Sequence, residues 1–203
     1  MTRRTRTAVS GPAGTPRPIH GSAGRALLRA IESHDRPTAR HSYIVLDLAR
    51  RVARRLDLPR GHVAEVEQVA LLHDLGKLAI PHAILSKLGP LDDEEWAAMR
   101  SHPAIGADAV AEVRELAHLA PAVRASHERW DGSGYPDGLA GYDIPIASRI
   151  TSVCDAHDAM TSDRPYRAAR SQLVALTELL GGAGTQFCPR CASALVDELL
   201  ERE

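Results

Sequence analysis

The sequence predicts an all-α protein built as a helical bundle, with one long loop that interrupts it. Aromatic residues make up only 3% of the 203 residues, with a single Phe, so the core must consist mainly of Leu, Val, Ile and Ala. These side chains suit helices better than sheets when apolar positions recur three and four residues apart. We find that periodicity along most of the chain and no alternating pattern typical of strands.

The predicted helices follow a tail over residues 1–23, which we expect to be disordered because its prolines and glycines prevent a stable helix. Periodicity begins near Gly24. It places Leu27 and Leu28 on one face, and Thr38 is a plausible N-cap for the next helix. The predicted helices cover 39–56, 61–75 (broken by Gly76), a short segment capped by Asp92–Asp93, 103–114, 119–128, 146–161, 168–181 and 190–202. Residues 129–145 form a loop rich in Gly, Pro and Asp, and loops of this length are often functional.

Composition excludes several classes of protein. The formal net charge is −1, so no overall field favours nucleic acid or an anionic membrane. No apolar run approaches the roughly 18 residues that span a bilayer. Three cysteines provide no disulfide framework, which is typical of a reducing compartment. We therefore expect a cytoplasmic protein without nucleic-acid or membrane partners.

A neighbouring His73 and Asp74, at the end of a predicted apolar helix, are the first candidate ligands. An imidazole binds one metal ion, while a carboxylate has two oxygens and can bridge two ions. Taken alone, the pair is explained equally well as part of a metal site and as a helix end whose carboxylate is solvated.

Further candidate ligands occur in other predicted helices. Asp155 lies among apolar neighbours, where a carboxylate is costly unless a positive charge compensates it. Each residue alone is better explained as a hydrogen-bonded or solvated side chain, but the set could hold two divalent ions. The additional candidates are His41, His102 (at the end of a short helix), His127 and Asp155.

Four blocks of sequence resemble the HD-GYP branch of the HD-domain phosphohydrolases, over roughly residues 24–192. They are Asp35 to His41, His73 to Lys77, Ser101-His102-Pro103, and the ordered run from His127 to Arg167 that includes Gly134-Tyr135-Pro136. The resemblance implies an HD-domain helical bundle over 24–203, with the long loop near a metal site.

The resemblance also implies two divalent transition-metal ions, with Asp74 bridging them. Mixed nitrogen and oxygen ligands suit Fe, Mn, Ni or Zn, and the sequence does not choose among these. The residues that resemble the family's metal ligands are His41, His73, Asp74, His102, His127 and Asp155.

Four further residues match substrate-contacting positions of the family. Lys77 resembles a lysine that contacts the scissile phosphate, and with Asp74 it forms the expected catalytic pair. Tyr135, Arg164 and Arg167 resemble residues that bind the nucleotide, since arginine can hold a phosphate or stack on guanine. The alternative for these residues is an ordinary role at a helix end.

Three positions depart from the family pattern. Ser126 replaces a histidine and Pro37 a glutamate, and both are associated with a third metal, so we expect two ions. Ala168 stands where a basic residue often follows the substrate-binding arginine. These differences predict hydrolysis that ends at the linear dinucleotide.

Cys188 and Cys191 form a Cys-x-x-Cys where the family usually has an Asp-Pro helix start. Such a pair is half of a zinc site or a redox pair, and we expect reduced surface thiols. His157 is two residues from Asp155, so it points to another helix face, and we expect it to be structural.

Three functions are compatible with the sequence. The first is hydrolysis of cyclic di-GMP, and the second is hydrolysis of another nucleotide or phosphate ester. The third is a weakly active or inactive module that senses a nucleotide or binds a diguanylate cyclase (GGDEF) partner. The apolar helix 190–202 is a candidate surface for a homodimer.

Overall fold

The computed structural model describes residues 36–163 and 168–201, together with residues 26, 27, 29 and 33. The described chain contains helices and no strand, which confirms the predicted all-α class; its one β-bridge joins Ala183 and Phe187. The predicted tail and the residues Arg164 and Arg167 lie outside the described residues. The α-helices are α1 Arg36–Arg55, α2 Arg60–Leu72, α3 His82–Leu85, α4 Asp93–Arg100, α5 His102–Ala111, α6 Ala120–Arg124, α7 Ile146–Thr161, α8 Gln172–Gly181 and α9 Pro189–Leu200.

The centre of the bundle is formed by α1, α2 and α7, which pack against one another. Val45, Val52, Val66 and Ile150 are fully buried there, and α9 covers α1 and α7. The core consists of aliphatic side chains, as the composition predicted. No described helix has both the length and the apolar character needed to cross a lipid bilayer.

Several helix ends differ from the predicted ones. Thr38 is not an N-cap, because α1 begins at Arg36 and includes Pro37 in its first turn, where proline needs no backbone donor. Helix α2 ends at Leu72, three residues before the predicted end, and the chain continues as a 3₁₀ helix Leu75–Ala79. Gly76 therefore does not break α2. His102 is the first residue of α5 and not the last residue of the preceding helix.

The remaining predictions have mixed outcomes. Helix 146–161 has the predicted bounds, and Asp92 caps α4 in a capping box with Glu95. The predicted helix 119–128 is instead divided into a 3₁₀ turn Ala117–Leu119, the short α6 and a 3₁₀ turn Ala125–His127. Helix α8 begins at Gln172, after its cap Ser171, and not at 168.

Candidate metal centre

Five separate elements bring the six predicted ligands into one cluster. Helix α1 supplies His41, the end of α2 supplies His73 and Asp74, and the start of α5 supplies His102. The 3₁₀ turn Ala125–His127 supplies His127 and α7 supplies Asp155. Donor atoms of these residues form two groups, each within 4.8 Å: His41, His73 and Asp155 in one, and Asp74, His102 and His127 in the other.

Asp74 belongs to the second group and also faces the histidines of the first. Its Oδ2 is 3.5 Å from His73 Nε2 and 4.0 Å from His41 Nε2, whereas its Oδ1 is 3.4 Å from His102 Nε2 and 4.0 Å from His127 Nε2. One oxygen therefore faces each pair of imidazoles. This is the arrangement that a bridging carboxylate requires.

Backbone carbonyls fix the tautomers of two candidate ligands. His73 Nδ1 donates to Ala70 O at 2.8 Å, and His102 Nδ1 donates to Met99 O at 2.7 Å. Because a carbonyl oxygen only accepts, Nδ1 carries the proton in both rings and the lone pair of neutral imidazole is on Nε2. Both Nε2 atoms face Asp74, and His102 Nε2 lies 3.0 Å from His127 Nε2.

The cluster contains buried polar atoms whose bonding is incomplete without a further group. His73 Nε2 and Asp74 Oδ1 are buried without a hydrogen-bond partner. Burial lowers the pKa of His73, and burial together with His102 lowers the pKa of His127 to about 3, so both rings are neutral ligand-ready imidazoles. Neutral imidazoles and carboxylates facing one another suit divalent transition metals.

Lys77 pairs with the central carboxylate. Its Nζ lies 2.6 Å from Asp74 Oδ2, and its side chain is about a quarter exposed. Burial opposes ionisation of Asp74, but its interactions with the His73 ring and with the Lys77 ammonium group outweigh burial and hold the pKa of this carboxyl well below its usual range. Lys77 thus combines a contact at the candidate metal centre with access to solvent.

Asp158 is a site residue that the sequence analysis missed. His41 Nδ1 donates to Asp158 Oδ2 at 2.5 Å, while His41 Nε2 is 3.0 Å from Asp155 Oδ1. Burial alone would lower the pKa of His41, but the two carboxylates raise it to about 10. His41 would therefore release the proton on Nε2 when it binds a metal ion. Ser162 donates to the other oxygen of Asp158 at 2.9 Å. The available signal was the three-residue spacing from Asp155, which puts both carboxylates on one helix face.

We expect Asp158→Asn to weaken metal binding because an amide does not hold the His41 ring as a carboxylate does. Losses of about 10- to 100-fold in metal affinity are typical for such outer partners of histidine ligands. Titration of metal-free protein with manganese measures the change. Asp108→Asn, on the exposed face of α5, is the matched control and should leave the affinity unchanged. Equal affinities for Asp158→Asn and the wild type would refute this role.

The loop 129–145 brings Tyr135 onto the candidate centre. The rings of His127 and Tyr135 are stacked, with centroids 5.4 Å apart and planes 1° from parallel, and the Tyr135–Pro136 peptide is cis. The pKa of Tyr135 is raised to about 12, mainly by burial and also by the negative charges of Asp155 and Asp74. Its hydroxyl therefore remains protonated. A cavity of about 460 Å³ opens beside His127, Tyr135 and Asp155.

Glu128 fixes this loop and was also not identified from the sequence. Its side chain is buried, and Oε1 accepts the backbone N–H groups of Asp137 and Gly138 at 2.7 and 3.0 Å. Gly134 packs against the backbone of Glu128 so closely that a Cβ there would lie 2.6 Å from its Cα. No sequence signal other than the position beside His127 identifies this role.

The remaining predicted residues have separate surroundings. Ser126 is buried and donates to Val123 O at 2.8 Å, and His157 belongs to neither group of donors and faces Gln172 at 3.4 Å. The prediction of surface thiols was wrong, because Cys188 and Cys191 are both buried at the start of α9. Both belong to the hydrophobic core cluster, which a Cys-x-x-Cys spacing does not reveal.

An all-helical bundle that gathers four histidines and two aspartates at its centre has the architecture of HD-domain proteins. The HD-domain family pattern matches residues 25–190, so the chain belongs to the HD-domain family. The resemblance is confirmed by relatives that are named cyclic di-GMP phosphodiesterases, and a structural neighbour titled an HDG"Y"P protein shares the fold.

Among the relatives, the cyclic di-GMP phosphodiesterase response regulator RpfG of Xanthomonas campestris pv. campestris is 41% identical over 172 residues, covering 84% of this chain and 46% of that protein. The 3'3'-cGAMP-specific phosphodiesterase 2 of Vibrio cholerae is 38% identical, covering 86% of this chain and 33% of that protein. The chain thus spans less than half the length of these relatives.

The solved structures agree on the fold. An HDG"Y"P protein, Bd1817 of Bdellovibrio bacteriovorus, superimposes with a TM-score of 0.65 at 22% identity, covering 79% of this chain and 51% of that one. The cyclic GMP-AMP phosphodiesterase V-cGAP3 of V. cholerae superimposes with a TM-score of 0.66 at 19% identity, covering 87% of this chain and 47% of that one. At these identities the likeness extends to the helical bundle alone.

Proposed function

We propose that this chain is a metal-dependent phosphodiesterase that opens cyclic di-GMP to the linear dinucleotide. The proposed ions are two divalent transition metals. His41, His73 and Asp155 would hold one, His102 and His127 the other, and Asp74 would bridge them. The observation that carries the proposal is the placement of the two Asp74 oxygens between two pairs of imidazoles.

When bound, two such ions supply Lewis acidity and a water-derived nucleophile at neutral pH. The protein supplies the rest. Lys77 donates to the scissile phosphate after it turns from Asp74, which its partly exposed side chain allows. The protonated hydroxyl of Tyr135 and the adjoining cavity orient the nucleotide beside His127. Arg164 and Arg167, outside the described residues, are proposed to bind its phosphate or base.

We propose two ions because the positions associated with a third do not offer metal ligands. Ser126 uses its hydroxyl to donate to the backbone of Val123, and Pro37 has no ligand atom in its side chain. A site of this composition is expected to release the linear dinucleotide as the main product.

The test is metal content of freshly purified protein combined with a chromatographic assay of cyclic di-GMP, with manganese or ferrous iron added. The expected result is that the linear dinucleotide accumulates and that each chain holds about two ions, one for each group of donor atoms. Protein that binds no metal after anaerobic reconstitution would contradict the assignment of the ligands. Metal-loaded protein that does not hydrolyse the compound would contradict the enzymatic proposal and favour the nucleotide-sensing module.

A second candidate substrate is 3'3'-cGAMP, because curated relatives at 38% and 35% identity are specific for it. The same assay with both cyclic dinucleotides in competition distinguishes the two candidates. A GGDEF-type partner, a homodimer, and a domain over 24–203 remain proposals. We place the activity in the cytoplasm, since three free cysteines suit a reducing compartment.

A further inference from the structure

Cys188 and Cys191 lie where an intrachain disulfide can form. Cys188 is the N-cap of α9, and Cys191 is the third residue of that helix. Helical geometry separates the Cα atoms of two such residues by about 5 Å, which lies within the range that disulfides span. The spacing of these two residues therefore meets the Cα distance that a disulfide requires.

Cys188 lies in surroundings that favour a thiolate. Arg149, on α7, donates from Nη1 to Cys188 Sγ at 3.8 Å. The pKa of Cys188 is lowered to about 5, mainly by the hydrogen bond from the Cys191 thiol and to a smaller extent by the contact with Arg149. The same hydrogen bond and burial raise the pKa of Cys191, so one cysteine is ionised at neutral pH and its neighbour remains a thiol. A negative charge at this position also matches the helix N-terminus, which favours anions.

A metal site within the chain is not supported for this pair. Among the residues that the structure describes, groups of three or more histidine, cysteine or carboxylate donors occur only at the candidate metal centre. A structural zinc needs four ligands, and this pair provides two. The observations therefore favour dithiol chemistry.

We propose that Cys188 and Cys191 form a modification site that a small peroxide oxidises to an intrachain disulfide. The Cys188 thiolate attacks one peroxide oxygen, the O–O bond breaks, and the departing hydroxide takes a proton to become water. The resulting sulfenic acid is attacked by Cys191 as its thiol loses a proton, the S–O bond breaks, and a second water leaves. The two sulfurs lose two electrons, and one peroxide is reduced to two waters.

Arg149 connects this site with the loop 129–145. Its guanidinium carbon lies 5.9 Å from the Trp130 ring and 5.2 Å from the Tyr142 ring, and Trp130 N donates to Gln186 O in the segment that leads to Cys188. A disulfide removes the negative charge that faces Arg149. Oxidation thus changes the interactions of a residue that packs against the loop carrying Tyr135.

The experiment is treatment of the native full chain with hydrogen peroxide, followed by thiol counting and mass spectrometry of the peptides. We expect the wild type to lose two thiols and form the Cys188–Cys191 disulfide within one chain. Cys191→Ser should stop at a sulfenic acid on Cys188 that dimedone traps, whereas Cys188→Ser should give neither product. Cys154→Ala is the matched control, a third buried cysteine, and should behave as the wild type.

Serine is a good N-cap, so Cys188→Ser should fold, and Cys191→Ser gives an independent positive signal. Alkylation of Cys188 should also proceed at a constant rate across neutral pH, because its thiolate is already formed there. Three free thiols after peroxide treatment would overturn the proposal, as would a disulfide that maps to Cys154. Zinc that copurifies with the wild type and is lost from Cys188→Ser would overturn it too, and would identify a site shared between two copies.

Discussion

Replacing Asp74 with alanine is expected to remove bound metal and to decrease phosphodiester hydrolysis by a factor on the order of 1000 or more. That factor corresponds to the several kcal/mol that metal ions contribute to phosphoryl transition states. Among the described residues, Asp74 is the side chain whose two oxygens face both pairs of imidazoles, so its loss affects both proposed ions together. Metal analysis and the cyclic di-GMP assay measure the two effects separately.

Asp74→Asn preserves the shape of the buried side chain and tests whether the charge itself is required. Circular dichroism should give the helical spectrum of the wild type for both variants, because the side-chain contacts of the buried Asp74 are with the imidazoles and Lys77. Asp197→Ala, on the exposed face of α9, is the control for loss of a carboxylate and should retain metal and activity. Undiminished turnover by Asp74→Ala would refute the proposed mechanism.

Gly76→Ala is expected to lower the free energy of unfolding by about 3 kcal/mol, the upper end of the usual cost of overpacking, because the atoms that the added methyl group would meet belong to the backbone and cannot rotate away. A Cβ at this position would lie 1.9 Å from the carbonyl oxygen of His102 and 2.7 Å from Gly106 N. The 3₁₀ helix Leu75–Ala79 would have to separate from α5. That movement would also withdraw Asp74 from His102, so metal binding should be lost with stability.

Denaturant unfolding followed by circular dichroism measures the loss of stability, and metal analysis measures the effect on the centre. Gly89→Ala provides the comparison, since no atom lies within 4 Å of the added Cβ, and its stability should stay within about 0.5 kcal/mol of the wild type. A Gly76→Ala protein that unfolds like Gly89→Ala would show that the two backbones do not pack as described.

Local patterns in the sequence were sufficient for the fold class and for several elements. Helix α7 has the predicted bounds, and Asp92 caps α4, because both signals depend on residues within one or two helical turns. The ends of α2 and the division of 119–128 into short turns could not be predicted, because tertiary packing there outweighs helical periodicity. The close approach of Gly76 to His102 belongs to this packing.

Sequence patterns are sufficient for the helical class and, through the family resemblance, for the choice of six candidate ligands. The grouping of these ligands into two sets of three, the tautomers of His73 and His102, and the burial of the two α9 cysteines depend on tertiary packing. The reason is separation along the chain. His41 and Asp158 are 117 positions apart, and no periodicity or spacing rule extends over such a distance. Contacts of this kind form only when the apolar faces of α1 and α7 pack together, and their geometry follows from that packing.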